Sequence, residues 1–345
     1  FGINTQITPQ AVEAMFTRHA DIKAVLVTSP NYYGQAADLK AIAGIAHAHN
    51  AALLVDEAHG PHLGFSSKLP PSALQCGADA CAQSTHKILG AMTQCSLLHV
   101  KGGRINLTRA AEAVSLLTTT SPNYLLMASI DAARYTFAVQ GDKLIERALA
   151  AAEKLRSCLS KFAGLKLLDA GCTGKNGIAG FDCTKVTVNT AAWGYSGTEA
   201  GDALRKAGIA VELTDAQNVL FLVTFADGGA EYDAVLEKIS RVFAGLEQHK
   251  RAPLKEQNCW KLPEFVTAMP LRSAFDAETE SLPLQEAEGR ICAEQVSFYP
   301  PGIPVLWPGE LVTAAVIDYC LRMKKLGLPV SGPADYTLTE LRVIK

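Results

Sequence analysis

The chain has no excess of charge, no long apolar run and no paired-cysteine spacing, and each absence excludes something. Its 345 residues carry a formal net charge of −2, so the basic face that a nucleic-acid partner needs is missing. No apolar stretch reaches the roughly 18 residues of a membrane-spanning helix, so no membrane partner is expected. Nine cysteines are scattered along the chain. The nearest pair, Cys76 and Cys81, lacks the usual zinc spacing, and reduced thiols in the cytoplasm are the expectation. No internal repeat or low-complexity tract stands out. There is no initiator methionine either: Phe1-Gly2-Ile3-Asn4 carries no signal peptide and no basic region and reads as the middle of a domain, so a truncated or processed form is expected. What is present is 48% hydrophobic and 19% charged residues, the balance of a soluble globular chain long enough for two or three domains.

From residue 11 to about 100, short apolar strands alternate with helical stretches. Residues 23–28, 52–55, 78–83 and 94–100 read as strands, and the alanine-rich 36–49 reads as a helix with Asp38 near its start. Such repeats imply a parallel sheet covered on both faces. Ligands bind such sheets at the carboxyl ends of the strands, where Asp56, the turn 29–33 and the run 84–87 all fall. Two further helices are predicted over 122–140, with Pro122 in the favoured first turn, and over 142–162. Beyond them, strands at 186–188 and 220–225 and helices at 198–207 and 231–246 describe a compact α+β unit. The division expected is 1–150, 151–255 and 256–345.

One group of residues carries the chemistry. Asp56 ends an apolar strand in Val55-Asp56-Glu57-Ala58-His59-Gly60, and Lys87 follows in Ser84-Thr85-His86-Lys87. Pyridoxal 5′-phosphate (PLP) needs an amine for a Schiff base, an anion that keeps its ring nitrogen protonated, and donors for its phosphate. Lys87, Asp56, and Ser84 with His86 supply these in turn, Ser84 being the better phosphate donor. An ion pair at about 4 Å is worth about 4 kcal/mol at an effective dielectric near 20. At about 1.4 kcal/mol per unit, that holds the ring nitrogen protonated to roughly three pH units higher. His59 is placed to stack on or cap the ring. The plainer alternatives are a solvated lysine, a helix-capping aspartate and a structural histidine. A metal site of Asp56, Glu57, His59 and His62 is disfavoured, because Asp56 and Glu57 project in different directions from extended chain and no helix aligns the two imidazoles.

These two motifs, with Thr120-Ser121-Pro122-Asn123-Tyr124-Leu125-Leu126-Met127-Ala128-Ser129, Tyr299-Pro300-Pro301-Gly302-Ile303-Pro304 and Pro308-Gly309-Glu310, resemble the bacterial ornithine/lysine/arginine decarboxylase family, nearly end to end. Pro61 departs from the small residue expected there. The resemblance implies an α/β fold: an aspartate aminotransferase-like, PLP-binding large domain with a mostly parallel sheet, a small α+β domain and a C-terminal α+β domain. It implies decarboxylation of a basic amino acid through Lys87, with Asp56 and His59 as its helpers, and it leans towards arginine. Lysine or ornithine would accept the same point charge. It also adds Ala58, Thr120 and Ser121 to the cofactor-binding set, the last two on a loop that, with Thr119, reaches a neighbouring subunit's cofactor, so a homodimer is the least oligomer expected. Glu310 is the family's candidate for the substrate's distal cation; its other reading is a helix-start carboxylate. Family members carry further sequence before this chain begins, with phosphate donors and a ring-stacking histidine. The rival readings are another fold-type-I PLP enzyme, such as an aminotransferase or an acyl-CoA condensing enzyme, and an inactive PLP-binding partner chain.

Overall fold

The computed structural model describes residues 1–254, 262–299 and 302–345. In chain order the elements are α1 (Pro9–Arg18), β1 (Ala24–Thr28), β2 (Gln35–Ala37), α2 (Leu39–Ala48), β3 (Ala52–Asp56), β4 (Ala80–Gln83), α3 (Thr85–Ile88), β5 (Leu97–Val100), α4 (Leu107–Leu117), α5 (Tyr124–Leu159), β6 (Lys166–Leu167), β7 (Ile178–Phe181), β8 (Lys185–Asn189) and α6 (Gly197–Lys206). They continue with β9 (Leu213–Thr214), β10 (Asn218–Leu222), α7 (Gly229–Gln248), α8 (Leu271–Asp276), β11 (Thr279–Pro283), β12 (Val296–Phe298), β13 (Pro304–Leu306), α9 (Ala314–Lys325), β14 (Val330–Ser331) and β15 (Glu340–Ile344).

Packing groups the chain into two compact units, one of Thr5–Val188 with Leu220–Glu247, the other of Phe1–Asn4, Asn189–Val219 and Gln248–Lys345. The expected segments 1–150, 151–255 and 256–345 divide the chain by sequence order instead, and the boundary at 255/256 lies outside the described residues, as do Pro300 and Pro301.

The first unit is built on a sheet in the order β1-β3-β4-β5. β1, β3 and β4 run parallel, in register from Ala24 opposite Ala52 to Asp56 opposite Ala82. β5 runs antiparallel to β4. Register sends Val27, Leu53, Val55 and Cys81 to one face, where they pack with Val12, Phe16, Ile42 and Ala46 of α1 and α2 in a single core cluster. The other face differs from the expectation of two covered faces. It carries Leu26, 72% exposed, and Leu98, 52% exposed. Ala80, on the same face, is 6% exposed, so that face is covered in part and open at Leu26 and Leu98.

Three local boundaries also differ from the sequence reading. Residues 35–37 pair as a strand with β7, Gln35 opposite Phe181, so the helix starts only after Asp38, whose side chain caps it by accepting from Ala41 N–H at 3.0 Å. Pro122 lies outside α5: Asn123 is the cap, its Oδ1 taking Leu125 N–H at 3.0 Å. The two helices expected over 122–140 and 142–162 run on as one, α5, but with a break at Gln140 (φ −143°, ψ 21°) where the sequence reading separates them.

The second unit has its own core. Val312, Val316, Cys320 and Met323 on and before α9 pack against Val296, Phe298, Leu306, Leu341 and Val343 from β12, β13 and β15. β12 pairs antiparallel with both β13 and β14, and β11 with β15.

Candidate active site

The carboxyl ends of three parallel strands meet at one edge of the first unit's sheet: Thr28 of β1, Asp56 of β3 and Gln83 of β4. The turns that follow carry the candidate residues. Ser29 N–H donates to the Asp56 carbonyl at 3.0 Å, drawing the turn after β1 against the end of β3. Asp56 itself is exposed; its Oδ1 accepts from Ala58 N–H at 3.1 Å, which leaves Oδ2 available. Its neighbour Glu57 points the other way, fully buried, taking Ala73 N–H at 2.7 Å and Gln83 Nε2–H at 2.6 Å. Burial pushes the Glu57 carboxyl above its ordinary range in spite of those bonds. The opposed directions of Asp56 and Glu57 are those expected of extended chain.

Lys87 sits in the single turn of α3. Its Nζ lies 3.0 Å from His59 Nε2 and 5.6 Å from the centroid of the Tyr32 ring. Tyr32 in turn packs on the His59 ring at 4.3 Å between centroids. His59 is 4% exposed. Burial, then the charges of Lys185 and Lys87, push its imidazole down to about 3, so it faces Lys87 as a neutral ring. Its Nδ1 is buried without a hydrogen-bond partner, an orphaned polar atom of the kind a bound group satisfies. His62, by contrast, is turned to Asp182, 3.0 Å from Nε2 to Oδ2.

The phosphate candidates are placed unequally. Ser84 caps α3 without a side-chain bond to its backbone, so its hydroxyl is uncommitted. His86 Nδ1 donates to the Cys95 carbonyl at 2.7 Å, which leaves Nε2 to face outward. An exposed carboxylate, an amine against a neutral imidazole and a free hydroxyl are the donor set that PLP requires. Thr120 and Ser121 lie in the exposed loop between α4 and α5; Ser121 N–H donates to Thr119 Oγ1 at 3.1 Å, and no hydrogen bond joins either residue to the Lys87 group among the described residues. Glu310 belongs to the second unit. It is not at a helix start, because α9 begins after the Thr313 cap. Its Oε2 accepts from Trp307 N–H at 2.8 Å, closing the Pro308-Gly309 turn. Asp182 and Lys185 are the neighbours that sequence reading misses, although Lys185 heads a strand that is buried throughout. Tyr32 lies in the turn 29–33 expected at this edge, but no motif there assigns it a role.

The fold recurs in solved structures. The chain aligns with the constitutive lysine decarboxylase of Escherichia coli at a TM-score of 0.74 and 21% identity, over 98% of this chain and 61% of that one. For lysine decarboxylase A from Pseudomonas aeruginosa the TM-score is 0.77 at 20% identity, over 98% and 60%. A pyridoxamine–pyruvate aminotransferase from Mesorhizobium loti shares the fold more loosely, at a TM-score of 0.54 and 18% identity over 70% and 65%. The sequence goes further. Residues 1–183 match the Orn/Lys/Arg decarboxylase major domain and 258–332 the Orn/Lys/Arg decarboxylase C-terminal domain, and the chain belongs to that family. It is 41% identical to an arginine decarboxylase of Bacillus anthracis and 40% identical to one of Bacillus subtilis, in each case over 100% of this chain and 70% of the relative. The chain thus spans about 70% of those curated relatives and about 60% of the lysine decarboxylases of known structure.

Proposed function

We propose that the chain is the PLP-dependent decarboxylase of a basic amino acid, arginine first, releasing carbon dioxide and agmatine for polyamine synthesis. One observation carries the reading: Lys87 Nζ lies 3.0 Å from a buried His59 at the strand edge where Asp56 leaves a carboxylate oxygen uncommitted. The 40% identity to Bacillus arginine decarboxylases supports arginine as the substrate.

PLP, when bound, supplies a cationic ring that accepts the electron pair left as carbon dioxide departs. Every other role belongs to the chain. Lys87 is the nucleophilic amine that anchors the cofactor. His59, a neutral ring, accepts a hydrogen bond from Lys87 Nζ on Nε2 and so orients the amine, and its imidazole stacks on or caps the cofactor ring. Asp56 Oδ2 holds the proton on the ring nitrogen, and the Ala58 N–H fixes that carboxylate through Oδ1. Ser84 Oγ donates to the phosphate; His86, whose Nδ1–H is held by the Cys95 carbonyl, donates from Nε2 as an imidazolium. Glu310 takes the substrate's distal cation. Thr120 and Ser121 complete the cofactor site of a second copy in a homodimer; Leu116 (85% exposed), Leu117 (84%) and Leu125 (71%), which flank their loop, are the apolar surface such a copy would cover. The domain scheme is the aspartate aminotransferase-like one, with 1–150 as the PLP domain, 151–255 as the small domain and 256–345 as the C-terminal domain. The free thiols among the described residues suit the cytoplasm.

The test is amine release from arginine, lysine and ornithine in the presence of PLP. Agmatine from arginine is the expected product. Release from lysine or ornithine alone moves the substrate assignment, amino-group exchange with a keto acid points to an aminotransferase, and turnover that appears only with added N-terminal family sequence marks this chain as a partner.

A further inference from the structure

Beneath His59 lies a charge group that the proposed chemistry does not use. Asp182 and Lys185 are 0% exposed, with Lys185 Nζ 3.0 Å from Asp182 Oδ2. His62 Nε2 lies 3.0 Å from the same oxygen, in close polar contact. Asp182 Oδ1 accepts from Thr184 twice, N–H at 2.9 Å and Oγ1–H at 2.7 Å. Burial alone would raise the Asp182 carboxyl; Lys185, then His62 and the Thr184 hydroxyl, outweigh it and hold the group well below the usual carboxylate range. A buried ion pair is a weak device for stability, since an apolar pair of the same volume serves as well or better. Its neighbours suggest what else it does.

Two chain segments that touch His59 are tied to this pair. Asp182 N–H donates to the Gly34 carbonyl at 2.7 Å. Gly34 (φ +85°) is so close that a Cβ there would come within 2.8 Å of the Asp182 carbonyl oxygen and 3.0 Å of Lys185 Cγ. Gly34 belongs to the loop of Tyr32, which Asn31 closes by accepting Gln35 N–H at 3.0 Å on its Oδ1. The second segment is the turn after β3, where Leu63 N–H donates to the Gly60 carbonyl at 3.1 Å; it carries His59 at its start and His62 at its end. We propose that Asp182 and Lys185 are a buried positioning pair: the Asp182 main chain and the Lys185 stem hold the Tyr32 loop at Gly34, the Asp182 carboxylate fixed by Lys185 holds the His59 turn through His62, and together they aim His59 Nε2 at Lys87. The groups around the His59 ring are then Lys87, Tyr32, Lys185, Asp182 and His62, and only Lys87 faces the reaction.

This inference rests on the reading of Lys87 and His59 as site residues, so its test has one arm that needs neither cofactor nor substrate. The variant is Asp182→Asn with Lys185→Met, which removes both charges together, so neither is left buried without its counter-charge. In histidine-labelled protein without PLP, with the His59 ring signals assigned through His59→Gln, the wild-type signals should show the ring-current shift of Tyr32. The double variant should lose that shift while its methyl spectrum keeps the dispersion of a folded core. Gly34→Ala, with both charges in place, should move the same signals. With PLP and arginine, kcat of the double variant should fall on the order of 100-fold, the cost of about 1 Å of misplacement, while KM stays within about threefold. Unmoved His59 signals in either variant overturn the inference, as does an unchanged kcat. A double variant without a folded spectrum overturns it too, by assigning the pair to stability. If wild-type protein releases no amine, the proposed function fails, and the spectra still decide whether the pair positions His59.

Discussion

The two edges of the first unit's sheet treat their carboxylates in opposite ways. At the amino edge, Asp79 precedes β4 and is 2% exposed. It accepts from Leu53 N–H at 2.8 Å, meets His47 Nε2 at 2.9 Å and Arg104 Nη1 at 3.5 Å. Every direction around that carboxylate is used. At the carboxyl edge, Asp56 is exposed with one short-range bond, Lys87 leans on a neutral imidazole, and His59 Nδ1 has no hydrogen-bond partner. Satisfied charges join strands and helices; charges left unsatisfied at the ligand-binding edge are available for chemistry. Chemistry in this chain is available at the polar groups that the fold has not already consumed.

Mutation should separate the edges sharply. Lys87→Ala removes the anchoring amine and is expected to abolish turnover while leaving the melting transition in place. Asp56→Asn should lower kcat about 10³-fold, since the about 4 kcal/mol assigned to its ion pair converts at about 1.4 kcal/mol per tenfold. Asp79→Ala is the reverse case. Losing hydrogen bonds to a buried charge should cost about 2–3 kcal/mol of stability in urea unfolding, with kcat little changed. A large loss of kcat in folded Asp79→Ala protein would erase the distinction between the edges.

Acid unfolding sharpens it. The hydrogen bond from Leu53 and the pairing with His47 and Arg104 outweigh burial and lower the Asp79 carboxyl, so its stabilisation is present above the ordinary value of 3.8 and is lost as pH falls through the lower, folded one. His59 acts in a higher window. Its folded value of about 3 lies below the ordinary 6.5, so the unfolded chain takes up that proton first and stability falls as pH drops from 6.5 towards 3. His59→Gln should therefore flatten the fall in unfolding free energy above pH 4, and Asp79→Asn only the part below it. The smallest effect is expected at Glu310. Glu310→Gln should raise KM for arginine about fivefold, the worth of a partly exposed pair near 1 kcal/mol, with kcat held.

Much of this edge is legible in the sequence, because strand and turn chemistry is local. The apolar runs before Thr28, Asp56 and Gln83 mark three strands, and parallel pairing alone then brings their carboxyl ends together. What stays hidden is what depends on distant partners. Asp182-Cys183-Thr184-Lys185 belongs to no motif in the sequence; the close approach of Gly34 and the pairing of β2 with β7 bury it. The same pairing takes residues 35–37 out of the helix that their alanines suggest. β5 reads like β4 as one more strand of the parallel sheet, yet runs antiparallel to it, a choice made by connection rather than by residue type. Glu310 reads as a helix-start carboxylate until the Trp307 N–H closes its turn. The open face with Leu26 and Leu98 is equally invisible, since a strand's pattern shows that a face is apolar and not what lies on it.

The most direct measurement is reduction of the PLP-treated chain with borohydride and peptide mapping of the adduct by mass spectrometry. A pyridoxyl group on Lys87, absent from Lys87→Ala and retained in Asp79→Ala, is the result predicted if the carboxyl edge carries the chemistry. A group on another lysine, or none on wild-type protein at saturating PLP, would contradict it.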